Sequence, residues 1–528
     1  MQRARHEINY QLYLAKVCAG FAGRRNASGR RAMSLPFANR EFVFTQPDGT
    51  KLKVFGTGNQ HQATFKTADN FTVVRNPASG YYEYARRDVT QHPAPSGIVA
   101  DAVNPLSAGL RPDLKPPAPH GISAYVSPGL PRSPSRWQVR RDQHRLRMLA
   151  DAVNGATPAP PQRQTVGTFI GLCLLVEFDD EPAVIPQVGV DNFCNQPGYR
   201  GYGNNGSVRD YFFDVSDGKL TYTNIVAPWY KASKPRTYYT DESVQYPLRA
   251  RELILEALAH HMNNGFDFST LSADDQKFIY AVNVFYAGTR VNNWSQGLWP
   301  HSFHLQAPIQ LAPGKFANDY QITDMSTELT LGTFCHENGH MICDFPDLYD
   351  YGNESRGVGS YCLMCAGPNV DPKNPPEVGA YLKHAAGWAS KVTPLAAGAT
   401  CRLSAGKNEF GLFRRNRTEY FIVENRERSG RDTSLPSVGL AIWKVDEAGN
   451  NSSEAMTPAS HYECALIQAD GRADLEMGVN DGDADDLYGE GGNFSSTSTP
   501  NSNWWDGTAS GLSIASISAP GPTITVSV

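Results

Sequence analysis

Residues 327–350, TELTLGTFCHENGHMICDFPDLYD, constrain this 528-residue chain more than any other stretch. They contain His336-Glu337-Asn338-Gly339-His340, an H-E-x-x-H pattern. On a helix, residues four apart share a face, so His336 and His340 can turn ring nitrogens toward one metal ion. Zinc takes about four ligands, and a catalytic site draws three from protein and keeps one position for water. Glu337 follows the first histidine and so faces that water instead of the ion, which is where a general base belongs. The plainer reading is a surface helix with two solvated histidines. Against it, Leu329, Leu331, Phe334 and Ile342 give the helix an apolar component that calls for burial. Gly339 at mid-helix costs about 1 kcal/mol against Ala, which close approach of another backbone would explain.

Pro346 cannot continue the helix, so the chain turns at about 343–344 and leaves in a new direction. Asp347 is then the first strongly coordinating side chain placed to swing back to the metal. Further on, GSYCLMCAG at 359–367 sets Met364 in a short apolar turn bracketed by glycines. Two histidines on a helix, a third ligand on the next turn and a later Met-containing turn together resemble the metzincin arrangement. Metzincins read H-E-x-x-H-x-x-G-x-x-H/D, whereas here Cys343 stands at the Gly position and the spacing is one residue longer. The family interval therefore lands on Pro346, which has no ligand atom. A helix one residue longer puts Asp344 in the left-handed position, which Asp tolerates through local backbone hydrogen bonds. Three residues on lies Asp347, the expected third ligand. Its competitors are Asp344, Asp350 and Glu377, the last in a thermolysin-like arrangement.

The likeness extends beyond the motif. GSVRDYF at 206–212, GKLT at 218–221, FPDLYD at 345–350 and LAIWKVDE at 440–447 resemble the immune inhibitor A family of secreted zinc metallopeptidases, and the similarity covers residues 37–528. That resemblance implies an exported zinc endopeptidase acting on protein or peptide substrates and made as a zymogen. The rival reading is a β-rich adhesive or carbohydrate-binding protein carrying a vestigial protease domain. Intact His336, Glu337 and His340 and an acidic third candidate argue against decay.

The remaining sequence supplies the expected organisation, an α+β peptidase domain between two β-rich regions. A chain of this length exceeds one core. Residues 1–36 form an arginine-rich leader whose apolar run is broken by Lys16, a poor export signal. Residues 37–88 alternate in strand fashion around Pro47-Asp48-Gly49 and Pro77/Gly80 turns, as in a small β propeptide module. Residues 89–164 are Pro-rich, with a basic helix at 138–153 whose Arg140, Arg141, Arg145 and Arg147 read as solvated sites for a trypsin-like cut.

A catalytic domain is expected over 165–390, opening on an apolar strand at 169–178 and closing on a helix at 377–386. Short strands, including one at 512–517, then give 391–528 a β-sandwich-like texture. The net charge of −5 gives no reason to expect a nucleic-acid partner, and no apolar run is long enough to span a membrane. The expected state is monomeric.

Nine cysteines leave at least one unpaired, Cys18 being the odd one; Cys335, Cys343, Cys362 and Cys365 read as disulfides, buried free thiols or a second metal site, a bridge from Cys343 to the Met-containing turn being favoured in an exported protein. Asp481, Asp483 and Asp485 alternate in a run suited to calcium, though a solvated acidic loop explains them at least as well.

Overall fold

The computed structural model describes residues 35–87, 93–102, 104–110, 112, 127–128, 134–153, 165–451, 457 and 459–528. Nearly all of the leader, Cys18 and parts of the Pro-rich stretch lie outside the described residues. The described part combines helices and sheets in an α+β fold.

The first sheet is an antiparallel meander of β1 (Phe37–Thr45), β2 (Lys51–Gly58), β3 (Gln62–Lys66), β4 (Thr72–Arg75), β5 (Tyr82–Arg87) and β6 (Pro93–Val99), with β7 (Ser127–Pro128) added beside β3. It therefore runs past residue 88, the expected limit of the module. Alternation buries one face: Phe42, Phe44, Leu52, Val54 and Phe65 share a core with Trp294 and Trp299 from beyond the sheet.

α1 (Arg136–Val153) comes next, and then the central sheet. Its members are β8 (Gly167–Glu177), β9 (Leu220–Lys231), β10 (Val282–Ala287), β11 (His301–Ala312) and β12 (Lys315–Met325), in the order β11-β12-β10-β8-β9. β9, β8, β10 and β12 are parallel, while β11 runs antiparallel at the edge. Residues 172–176 of β8 are fully buried because the sheet is covered on both faces, which is why the strand reads as an unbroken apolar run. α2 (Gln187–Asn195) and α3 (Val208–Val215) lie against β9 on one face, and α4 (Leu248–Asn263) packs in the core on the other. α3 opens with a capping box, Ser207 Oγ accepting from the Asp210 N–H and Asp210 accepting from the Ser207 N–H.

α5 (Leu331–Cys343) carries the histidines, and α6 (Ala380–Ala385) closes the region. α6 starts later than the expected 377: the Glu377 N–H is given to Asp432 Oδ1 at 3.1 Å, and the helix begins only at Ala380.

In the last region β13 (Lys391–Pro394), β15 (Glu409–Arg414), β16 (Glu419–Arg426), β17 (Gly439–Asp446) and β18 (Cys464–Leu466) form one sheet. β14 (Thr400–Ser404) pairs with β19 (Thr523–Ser527). Period-two alternation divides β16 and β17 between two cores. Tyr420, Ile422, Trp443 and Val445 join the core beneath α5, while Phe421, Val423, Leu440 and Ile442 join the one shared with β14 and β19. The expected strand at 512–517 is absent: only isolated bridges at Ile514 and Ala515 occur there.

Candidate metal centre

α5 is buried along nearly its whole circumference, so its polar residues are held by partners and not by water. Asn338, fully buried, accepts from Tyr222 Oη at 2.5 Å and donates to Asn283 Oδ1 at 2.9 Å and to Phe334 O at 2.8 Å. This pins the helix to β9 and β10 from below. Gly339 faces the Met-containing turn: a Cβ there would lie 2.8 Å from Met364 Sδ. The close approach that this glycine permits comes from a side chain and not from another backbone. Met364 is fully buried under the helix, and its carbonyl takes the Leu348 N–H at 2.8 Å.

The helix ends at Cys343, and Asp344 has φ 57 and ψ 29, the left-handed conformation. The chain then turns so that Asp347 Oδ1 lies 3.2 Å from both His336 Nε2 and His340 Nε2, which are 3.2 Å from each other. His336 Nδ1 faces Leu363 O at 2.9 Å, and His340 Nδ1 faces Phe345 O at 2.6 Å. A carbonyl only accepts, so both Nδ1 atoms carry hydrogen and both Nε2 atoms of the neutral rings present lone pairs. Two imidazole lone pairs and a carboxylate oxygen thus converge on one point. Among the described residues neither Asp347 Oδ1 nor Glu337 Oε1 has a hydrogen-bond donor, although both atoms are buried. Buried acceptors facing one another are costly unless a cation lies among them. The donor set fits zinc, with nitrogen and oxygen ligands on fixed elements.

The carboxylates make this a site that attracts positive charge. Burial pushes His340 down, but the Asp347 and Glu337 carboxylates and the Phe345 carbonyl outweigh it and carry the imidazole up to about 9. Burial pushes the Asp347 carboxyl up, yet the two imidazoles hold it well below the usual carboxylate range. Glu337 Oε1 stands 4.0 Å from His336 Nε2, beside the convergence point and outside it.

The other ligand candidates are engaged elsewhere. Asp344 Oδ1 accepts from Arg140 at 2.7 Å, and Asp350 accepts the Gly352 and Ser355 N–H groups of its own turn. Glu377 is ion-paired with the buried Lys383. Cys365 Sγ donates to Arg356 O at 3.2 Å and Cys362 Sγ accepts from the Met364 N–H at 3.4 Å, both as thiols. The expected bridge from Cys343 to this turn is therefore not formed. The acidic run does not gather Asp481, Asp483 and Asp485 into one group. Asp483 meets Asp470 and Asp474 instead. The Arg472 guanidinium reaches Asp470, Asp483 and Asp485, and Asp481 faces Arg356.

The largest departure from the sequence reading is α1. Four of its five arginines are held by partners, Arg136 by Asp274 at 3.3 Å among them, while Arg147 is exposed as expected. Arg140 pairs with Asp274 at 3.2 Å and with Asp344, and Arg141 pairs with the buried Glu463. Arg145 donates to Gly449 O at 2.9 Å. The Trp137 ring stacks on His340, with centroids 4.5 Å apart and planes at 16°. Trp137, Gln138 and Arg141 line a cavity of about 320 Å³ together with Gln60, His61, His336, Glu337, His340, Asp347, Tyr349 and Tyr351. Asn338, Trp137 and Tyr351 were not singled out from sequence. The first two leave a signal: an asparagine is a poor mid-helix residue, and a tryptophan is out of place in a solvated basic helix. Comparison with models of known protein families and with curated proteins finds no match for this chain.

Proposed function

We propose that this chain is a zinc-dependent endopeptidase of metzincin type, similar to the immune inhibitor A peptidases, exported and made in a latent form. The observation that carries the reading is the convergence of His336 Nε2, His340 Nε2 and Asp347 Oδ1 at 3.2 Å beside the buried Glu337. His336, His340 and Asp347 would hold the ion. Bound there, zinc would polarise the scissile carbonyl of a protein substrate and acidify a water molecule. Glu337 Oε1 takes the proton released in the attack and passes it to the leaving amine. The carbonyls of Leu363 and Phe345 hold both imidazoles in the tautomer that ligation needs. Met364 supports the helix from below.

Latency is supported by what covers the cleft. α1 lays Trp137 against His340, and Arg140 and Arg141 tie the helix to groups on three distant segments. The turn between β2 and β3 adds Gln60, whose Oε1 accepts the Ser302 N–H of edge strand β11 at 3.0 Å. A substrate chain needs the space that Trp137 and Gln60 take. Cutting the Pro-rich stretch therefore opens the site only when α1 departs as well.

Zinc content and casein hydrolysis, each compared with a Glu337→Ala protein before and after limited proteolysis within 89–164, test the proposal. Stoichiometric zinc and Glu337-dependent hydrolysis that rises on cutting are expected. Absence of both zinc and hydrolysis would overturn the peptidase reading. Full activity in the uncut chain would overturn latency.

A further inference from the structure

We infer that Tyr351 is a positioning residue for the metal centre, holding Asp347 so that one carboxylate oxygen alone faces the two imidazoles. The inference rests on the metal-centre reading above. Asp347 has two chemically equal oxygens, and the structure treats them differently. Oδ1 lies 3.2 Å from His336 Nε2 and from His340 Nε2, whereas Oδ2 accepts from Tyr351 Oη at 2.5 Å. An oxygen that takes a phenolic hydrogen bond is a weaker donor to a cation and is held away from it. Without that bond the carboxylate can rotate and chelate through both oxygens, filling the position that a catalytic site leaves for water.

Tyr351 is itself held. Its carbonyl accepts from Asn59 Nδ2 at 3.1 Å, on the turn between β2 and β3, and from Gln62 Nε2, at the start of β3. Those two side chains are buried, and Asn59 is fixed from further directions. Its Oδ1 takes the N–H groups of His61 at 2.8 Å and Gln62 at 3.2 Å, and its carbonyl takes Trp294 Nε1–H at 2.9 Å. The Tyr351 ring lies between those of Tyr349, at 5.2 Å, and His61, at 5.4 Å. A hydroxyl held this way confines its partner carboxylate to one orientation. The N-terminal β module thus reaches the third ligand through a single residue.

The test uses the full chain, stripped and titrated with Zn²⁺ against a chromophoric chelator, and separately loaded with Co²⁺, whose visible absorption weakens as coordination number rises. The wild-type chain is expected to bind one Zn²⁺. Tyr351→Phe is expected to lose about 10- to 100-fold in zinc affinity, the usual effect of removing a group that orients a ligand, and to weaken the Co²⁺ bands. The Asn59→Ala/Gln62→Ala double variant leaves the hydroxyl in place and loosens only its support. It is expected to shift both readouts in the same direction by less, and it serves if Tyr351→Phe does not fold. A merely structural tyrosine would change melting temperature without moving the Co²⁺ spectrum. Unchanged affinity and spectrum in the variants, with the wild type binding normally, would overturn this inference alone. A wild-type chain that binds no Zn²⁺ would overturn the metal-centre reading and this inference with it.

Discussion

α5 and α1 touch through the stacked rings of His340 and Trp137 and through Arg140, which donates to Met341 O at 3.0 Å, yet the two helices were unequally legible. α5 carries its chemistry within its own residues and the turn that follows. Two histidines four apart, a glutamate between them and an aspartate at the next turn are local facts, so spacing alone brings them to one place. α1 carries five arginines, and the meaning of four of them depends on Asp274, Asp344, Gly449 and Glu463, the nearest more than a hundred residues away. With those partners out of view, a run of basic residues looks solvated. The comparison teaches that a charge pattern predicts exposure only where no distant opposite charge is folded against it.

The largest effect should come from α5. Glu337→Ala is expected to lose at least about 100- to 10,000-fold in proteolysis while zinc stays bound, measured as metal content of the purified protein. Asp347→Ala should lose zinc and activity together. Zinc kept in Asp347→Ala but lost in Glu377→Ala would move the third ligand to the later helix and break the local account of α5.

On the α1 side, Arg141→Ala leaves the buried Glu463 without its cation and with the Tyr381 hydroxyl still donating to it, a change that costs up to about 3–5 kcal/mol. Trypsin should then cut inside 136–153 faster than in the wild type, and the uncut chain should become more active. A cutting rate equal to wild type would mean that the arginine contacts do not hold the helix down.

A pH effect on the order of 2 kcal/mol is expected at Glu447, behind the α1 anchors. Burial, opposed by the Tyr420 hydroxyl and aided by Glu463, pushes this carboxyl up to about 7. A folded-state value above the unfolded one favours the folded chain fully below the ordinary carboxylate range. That contribution is lost as pH rises through about 7. Melting temperature should therefore fall between pH 5 and 8, and Glu447→Gln should flatten the fall.

A smaller change is expected at the joint between the helices. Asp344→Gly keeps the left-handed turn at no steric cost and removes one of two carboxylates paired with Arg140, Asp274 remaining, so the loss should be smaller than at Arg141. Zinc and unmasked activity should be retained, with somewhat faster trypsin cleavage of α1. Loss of zinc would implicate Asp344 in coordination. The acidic run should respond least. Arg472 already places a cation among Asp470, Asp483 and Asp485, so added calcium or chelator should leave the melting temperature of the stripped protein unmoved. A rise with calcium would mean that the guanidinium yields to the ion.

Sequence by itself determined the parts that rest on neighbours along the chain. The apolar run of β8, the Ser207 cap, the alternation in β1 to β5, the histidine spacing and the left-handed Asp344 all follow from local sterics, hydrogen bonding and periodicity. The tertiary structure alone decided where β16 divides its two faces, what the Glu377 N–H is given to, and what Gly339 makes room for. It also decided that α1 lies over the site and that Tyr351 holds Asp347. The physical reason is common to these cases: each is a contact between segments far apart in the chain. Its energy depends on a partner's position, which no local pattern encodes.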